Sequence, residues 1–569
     1  MSRFIDTLLV HSAPDSPTRS SRGITIGEPT QPRRLTWTQV HEKALRAAGT
    51  LISRAAPGVH PGDAVAVLAG DPAMIAPAVQ GVWLAGGSIT MLHQPTARAD
   101  LAAWAEDTVR VLGMIDIKLV LLGPPFHRLA PLLAQRGISY LMLDDLDDPA
   151  ARPLQAPVPV DEDDTVLLQL TSGSSAEPKA VRISHGNLYA NMTAMAQTAD
   201  LDPAKDIMVS WLPLFHDMGM VGFLTVPMAL GLELVKVTPA DFMSRPLLWA
   251  ELISRHRGTI TAAPNFGYTL LARRLATTEE HFDLSSLRFA LNGAEPIEPA
   301  AVRAFLSAGA KFGLAAGSMI CAYGMAEATV GVSFAPHGIG MQVDTVDADA
   351  LESRRRAVPT VPTVPTVPPR PSDQHVRAFP RLGPPLPGLE VQVVGEDGQP
   401  LGEREIGGIR LRGESVTREY LTVAGPQPTQ DAGGWLDTGD EGYLVDGEVV
   451  VCGRRKDVII MGGRNIYPID IERAAELVDG VRPGSVAAVR IDAGARRESF
   501  AVAVESNRVG DTDAERILRK EVASRVVAAV GLRPGAVVVL PPAALPKTPS
   551  GKLRRAAVRD RIAEYLPQS

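Results

Sequence analysis

Leu168-Gln169-Leu170-Thr171-Ser172-Gly173-Ser174-Ser175-Ala176-Glu177-Pro178-Lys179 is the stretch around which the rest of the chain is organised. Thr165 to Leu170 is a mostly apolar run that reads as a buried strand, and it breaks into hydroxyls, one glycine and a closing lysine. Thr171, Ser172, Ser174 and Ser175 offer donors, Gly173 lets the backbone approach an anion closely, and Lys179 supplies positive charge. A loop that holds phosphate needs this set. The Walker A spacing is absent, because no glycine precedes Lys179 and no Ser or Thr follows it. Taken alone, the stretch reads equally as a solvated Ser-rich turn ending in a proline.

Composition narrows the field around this loop. A chain of 569 residues is long enough for several domains, and 45% apolar with 21% charged residues is the balance of an ordinary globular protein. A net charge of -7 argues against a nucleic-acid partner and against constitutive binding to anionic membranes. Two cysteines, Cys321 and Cys452, make neither a disulfide framework nor a zinc site by themselves, which fits a reducing cytoplasm. Asp6 stands where a signal peptide requires apolar residues, and Asp71 and Pro72 soon break the run Ala64 to Ala69, so no integral membrane segment is expected.

Residues 1 to about 165 read as alternating helix and strand. Trp37 to Ala55 has helical apolar spacing, Ala64 to Ala69 and Lys118 to Leu122 are strand-like, and Met74 to Ala85 is helical if Pro77 falls in its first turn. This alternation implies a mostly parallel sheet with helices on both faces. Ser184-His185-Gly186-Asn187 then reads as a strand end feeding a capped helix. In Ser210 to Met220 the pair His216-Asp217 reads as catalytic or, by the commoner use of such a pair, as a helix cap. Pro264-Asn265-Phe266, Asn292-Gly293-Ala294-Glu295-Pro296 and Ala322-Tyr323-Gly324-Met325-Ala326-Glu327 each follow an apolar segment. In a doubly wound sheet such strand-end loops line one crevice, where ligands bind. There Glu327 offers a carboxylate for magnesium, and Tyr323 a flat face for a base. Singly, each of these is also an ordinary turn.

Together the motifs resemble the adenylate-forming superfamily of acyl-CoA synthetases, peptide-synthetase adenylation domains and luciferases, in the right order and over nearly the whole chain. The Ser-rich loop is similar to the family's phosphate loop, and Tyr323 to Glu327 to its aromatic and acidic signature. Trp435-Leu436-Asp437-Thr438-Gly439-Asp440 resembles the motif whose last aspartate binds ribose. Gly453-Arg454-Arg455-Lys456-Asp457 resembles the inter-domain hinge, and Pro546-Lys547-Thr548-Pro549-Ser550-Gly551-Lys552 the catalytic-lysine loop. Within the superfamily the versions at Trp211 to Gly219, Asn265, Asn292 to Pro296 and Gly463-Arg464-Asn465-Ile466-Tyr467-Pro468, with an insertion after Glu327, are similar to those of the fatty acyl-AMP ligases. The chain departs from the wider pattern at Ala176 and Ala180, where glycines are usual.

The resemblance implies an α/β fold: a large N-terminal domain, residues 1–455, of doubly wound sheets with a small β-barrel-like subdomain at about 383–451. A small mobile α+β domain, 456–569, would follow. Residues about 341–382 form the insertion, whose Val-Pro-Thr repeat, Val358 to Pro369, favours extended polyproline II and reads as a linker or disordered loop. In the family the insertion is thought to hinder the domain rotation that would accept coenzyme A. The basic run Lys552-Leu553-Arg554-Arg555 reads as a solvated face.

By the same resemblance ATP and magnesium are the cofactors. The loop hydroxyls and Lys179 hold phosphates, Glu327 and Thr171 hold magnesium, and Lys552 stabilises the transferring phosphoryl. Asn292, Gly293, Ala294 and Glu295 with Tyr323, Gly324 and Met325 sandwich adenine. Asp440, Arg454 and Lys456 lie at the ribose and hinge, and His216 gates the acyl channel. A carboxylate substrate is already ionised at neutral pH and needs no base. Phe223, Leu224, Phe266, Tyr268 and Leu271 line an apolar tunnel or are ordinary core. The expected reaction is activation of a fatty acid to fatty acyl-AMP, followed by transfer to an acyl carrier protein or a polyketide or nonribosomal peptide synthase. An acyl-CoA ligase, and an adenylate-binding protein without catalysis, are the competing readings.

Overall fold

The computed structural model of the chain describes residues 1–569 except 13–20, 54–57, 96–99, 149–150, 172–176, 361–375, 462–463, 492–498, 549–552 and 566–569. Ser172, Gly173, Ser174, Ser175, Ala176 and Lys552, and most of the Val-Pro-Thr repeat, therefore lie outside the described residues.

Two eight-stranded sheets carry the α/β fold. The first runs Gly331–Phe334, Met319–Gly324, Phe289–Asn292, Ile260–Ala263, Ile207–Ser210, Glu233–Lys236, Gly23–Ile26, Arg33–Thr36, and is parallel except for its two edge strands. The second runs Gly425–Pro428, Glu419–Thr422, Lys179–Ser184, Thr165–Thr171, Ser88–Met91, Ala64–Leu68, Ile117–Leu122, Tyr140–Met142; it is parallel from Thr165–Thr171 onward and antiparallel before it. Central strands such as Ala64–Leu68 are buried along their whole length, as their unbroken apolar sequence requires.

Local chemistry sets the boundaries. Ser184 ends its strand and caps the helix His185–Thr198: its hydroxyl accepts from the Asn187 amide at 3.1 Å, while the Asn187 side chain accepts from the Ser184 amide at 3.0 Å. The helix Pro72–Leu84 differs from expectation, because Pro77 lies past its first turn. The donor lost there is outweighed by burial of every residue from Ile75 to Leu84.

The β-barrel-like subdomain is not closed. Leu389–Val394, Gly407–Gly413, Leu436–Val445 and Glu448–Arg454 form an open four-stranded antiparallel sheet. The strands between its second and third members leave it for the second large sheet, where Glu419–Thr422 pairs with Lys179–Ser184 and Gly425–Pro428 pairs with Glu419–Thr422 at the edge. Strands that would continue the curl are thus spent on the phosphate-loop sheet.

The insertion is partly regular. Val343–Asp347 and Val376–Pro380 make a two-stranded ladder, joined through the helix Ala348–Arg354. The first residues of the repeat continue it, since the Asp347 amide donates to Val358 O and the Thr360 amide to Thr345 O, both at 2.9 Å. Val346, Leu351 and Ala357 of this segment share one core with Tyr443, Val450, Cys452 and Tyr467. After Lys456, the strands Val486–Ile491 and Ser499–Glu505 and the helix Thr512–Val530 follow, with Ala536–Leu540 completing a three-stranded sheet. Ile459, Ile471, Val502, Leu518 and Val522 anchor a core of their own there. The basic run is not a solvated face at Arg555, whose guanidinium grips the Glu472 carboxylate by two bonds of 2.7 and 2.6 Å.

Candidate active site

The parallel strands of the first sheet end together, and their following loops are tied side to side. Asn265 Oδ1 accepts from the Asn292 side chain at 3.3 Å and from the Glu298 amide at 3.2 Å. Glu295 Oε1 accepts from the Phe266 amide at 2.6 Å. Ala294 takes a left-handed φ of 66°, a costly turn for a residue with a Cβ, and it redirects the chain after Asn292. At Gly324 a Cβ would sit 2.1 Å from Val330 O, so only glycine lets the Tyr323 strand fold back on Gly331. Met325 continues that turn, its amide donating to Val330 O at 2.9 Å.

Two polar clusters stand at these ends. In one, the Lys179 ammonium lies 3.3 Å from Glu327 Oε1, the Tyr420 hydroxyl donates to the same oxygen at 2.6 Å, and the Lys179 nitrogen sits 3.7 Å above the Tyr420 ring. In the other, buried Asp440 accepts from the Tyr323 hydroxyl and pairs with Arg454 Nε at 2.8 Å. Burial pushes the Asp440 carboxyl above its usual range, against the pull of Arg454 and Tyr323. Loss of solvent around the Lys456 ammonium lowers it, and Arg454 and Lys179 push the same way, so both clusters and this lysine share one field. Glu327 also raises Asp440, which puts the two carboxylates within reach of each other.

Thr171 stands opposite Lys179 at the base of the loop between their strands. Its hydroxyl and Asn292 Oδ1 are buried with no hydrogen-bond partner among the described residues. Two orphaned polar atoms, one a hydroxyl and one an amide oxygen, suit a ligand that brings both acceptors and donors. The Ala180 methyl lies in the apolar core, packed with Leu168 and Leu170, and so belongs to the sheet rather than to the loop.

His216 and Asp217 do cap a helix: the Met218 amide donates to Asp217 Oδ1 at 2.6 Å and to His216 Nδ1 at 3.3 Å. The irregular helix Met218–Thr225 that they open bends at Phe223. Behind it Trp211 stacks on Phe242 at 4.1 Å, and the half-exposed Phe266 meets Trp211 edge-on at 5.9 Å. Tyr268 is core rather than wall: fully buried between Trp249 and Phe305, its hydroxyl donates to Leu291 O at 2.9 Å.

This geometry coincides with a match to a family model, the AMP-binding enzymes, over residues 18–421. The chain belongs to the AMP-binding enzyme family. Its relatives agree: a Mycobacterium tuberculosis protein, Rv1013, is 55% identical over 98% of this chain and 99% of that protein. A medium-chain-fatty-acid–acyl-carrier-protein ligase of Moorena producens, JamA, is 33% identical over 75% of this chain and 73% of its own length. A solved structure from a study of fatty acyl-adenylate ligases of E. coli and L. pneumophila superposes with a TM-score of 0.86 at 31% identity, covering 99% of this chain and 98% of that one. The chain is thus an adenylate-forming enzyme of α/β fold, from a family that uses ATP.

Three residues of this AMP-binding enzyme's site escape a reading by motif. Tyr420 lies on an alternating strand with no signature. His93 follows the strand Ser88–Met91, packs edge-on against Phe215 at 5.4 Å, and is lowered to about 4 by burial and by His216. Buried Lys236 donates to Leu212 O and, at 3.0 Å, to Val237 O, holding the segment that leads to His216; burial lowers it to about 7. A lysine inside the run Glu233–Lys236 carries the one sequence signal of the three, a charge at the end of a buried strand.

Proposed function

We propose that this chain activates a fatty acid as fatty acyl-AMP with release of pyrophosphate, and hands the acyl group to the thiol of a carrier protein. The observation that carries the reading is the pair of clusters, Lys179–Glu327–Tyr420 and Tyr323–Asp440–Arg454, which draw side chains from the two large sheets and the four-stranded sheet. In the reaction a carboxylate oxygen bonds to the α-phosphorus of ATP, and the bond from that phosphorus to the bridging oxygen of pyrophosphate breaks. Both reactants are anions, so cations fixed in advance are the main requirement. Lys179 moves from Glu327 to the phosphates. Asp440, pushed up by burial, gains from the two donors of a ribose. Asn292 and its neighbours with Tyr323 take the adenine. Lys552 approaches the transferring phosphoryl, and Lys456 marks the hinge between a large domain, 1–455, and a small one, 456–569.

Among the described residues no three His, Cys, Asp or Glu side chains converge as a metal site. Glu327, with Thr171 near the loop base, would hold magnesium largely through phosphate and water oxygens, the set this ion favours, and the ion would neutralise phosphate charge. The fatty-acid and carrier assignments are supported by the relatives, among them the medium-chain-fatty-acid–acyl-carrier-protein ligase JamA. No helix among the described residues is long and apolar enough to cross a membrane.

The insertion bears on the acceptor. Glu352 bonds Arg464 at 2.8 and 2.6 Å and also pairs with Arg377, which reaches Asp470 at 2.5 Å. Rotation about Lys456 would break these bonds and pull Tyr467 from the core it shares with Leu351, which favours a carrier thiol over coenzyme A. The test is pyrophosphate release with ATP, magnesium and a panel of fatty acids, with and without coenzyme A, and Lys552→Ala as control. Accumulating acyl-AMP that ignores coenzyme A is expected. Acyl-CoA would overturn the acceptor, and silence with every acid would overturn the reaction. Arg377→Ala is expected to raise coenzyme A-dependent turnover from background; an unchanged background would show that the insertion does not restrain the hinge.

A further inference from the structure

The strand Glu419–Thr422 contributes nothing to the open four-stranded sheet from which it departs, and its register places one side chain in the nucleotide site. Tyr420 pairs with Val181, Leu421 with Ala180 and Thr422 with Lys179. Alternation therefore turns Leu421 and Ala180 into the apolar core, and sets Tyr420 on the face of Lys179, diagonal to it. The phenol then meets both members of the ion pair at once. Its hydroxyl donates to Glu327 Oε1 at 2.6 Å, and its ring carries the Lys179 ammonium at 3.7 Å. The backbone adds a further link, since the Thr417 amide donates to Glu327 O at 2.9 Å. Glu327 Oε2 has no hydrogen-bond partner among the described residues, although the side chain is only 11% exposed.

We propose that Tyr420 is a positioning residue of the nucleotide site, one that divides the two oxygens of Glu327 between the protein and magnesium. This rests on the adenylation reading above. Without nucleotide, Lys179 and Tyr420 both hold Oε1. When magnesium-ATP binds, Lys179 has a stronger anion to go to, and the ring beneath it offers a cationic resting place along the way. Tyr420 does not leave. Its hydroxyl keeps Oε1 engaged, so the carboxylate cannot swing after the lysine, and Oε2 stays turned to the metal. A carboxylate tethered through one oxygen presents the other in a fixed direction, which a small ion with strict geometry needs. No covalent step is involved.

The two parts of the phenol are separable. Tyr420→Phe keeps the ring and removes the donor; Tyr420→Leu removes both. ATP binding by calorimetry, with no acid present, is measured across a magnesium series and again in EDTA, with thermal melting as the check on folding. For Tyr420→Phe the half-saturating magnesium concentration is expected to rise about tenfold, the worth of a hydrogen bond to a charged group, while ATP affinity in EDTA stays within about twofold. Tyr420→Leu is expected to lose a further several-fold in EDTA as well, through Lys179. A Tyr420→Phe variant with the magnesium dependence of the wild type would overturn the proposal. So would one that weakens ATP equally with and without magnesium. Wild-type chain that binds magnesium-ATP yet forms no acyl-AMP would sink the proposed reaction and leave this measurement standing.

Discussion

The polar end of the candidate site and the aromatic cluster behind it are built on different principles. At the polar end the paired cations and phenols are held by partners of opposite charge or by hydrogen bonds: Lys179 by Glu327, Arg454 by Asp440, Tyr323 and Tyr420 by the two carboxylates. At the aromatic end Trp211, Phe242, Trp249 and Phe266 position one another by packing. Ion pairs can be exchanged for a ligand's charges as it arrives. Packed rings have no such exchange to make, so that end changes shape only by moving as a block.

Truncation at the centre of the packed end should have the largest effect. Trp211→Ala is expected to cost about 3–5 kcal/mol of stability, read from denaturant unfolding, because Phe242, Trp249 and Phe266 all lose their common neighbour. A loss below about 1 kcal/mol would mean that the rings re-pack freely and the contrast fails. At the other end, Asp440→Asn should leave melting nearly unchanged and weaken ATP binding about ten- to hundredfold, since a partner for Arg454 and for the ribose is lost in one step. Equal damage to stability would make Asp440 a structural residue.

The smallest effect sharpens the comparison, because Lys236 is a cation placed in the apolar end. Its ammonium is lowered to about 7 in the fold, against an ordinary lysine value near 10.4 when unfolded. Between those values the unfolded chain binds more protons, so stability rises with pH across that window and is flat below it. Relative to Lys236→Met, the wild-type chain should gain at most about 1.4 kcal/mol per pH unit from pH 7 upward, read as a narrowing gap in melting temperature. Parallel pH curves would place the lysine in contact with solvent.

The same contrast explains what the sequence made legible. Thr171, Lys179 and Glu327 stand out by residue type and place at a strand end, whereas Asp440 and Arg454 stand out only by the resemblance of their motifs; the structure pairs Lys179 with Glu327 and Arg454 with Asp440. The capped helix after Ser184 could be read because both partners of the cap lie within one turn. Tyr420 could not, since only the pairing of its strand with Lys179–Ser184 brings it into the site. That same pairing removes the strands a barrel would have used. Tyr268 had the composition of a tunnel wall, but Trp249 and Phe305, from separate helices, enclose it. Arg555 looked solvated until Glu472 came alongside.

The strand Lys179–Ser184 is flanked by Thr165–Thr171, made just before it, and by Glu419–Thr422, made long after. During synthesis from the N-terminus, one side of the phosphate-loop hairpin therefore stays an open edge until residue 422 has left the ribosome. A nascent chain halted earlier exposes unpaired backbone there, the kind of edge on which chains join one another. Truncations ending before Glu419 should aggregate, however complete the first sheet already is, and the strand that covers this edge is the one that brings Tyr420 to Lys179 and Glu327.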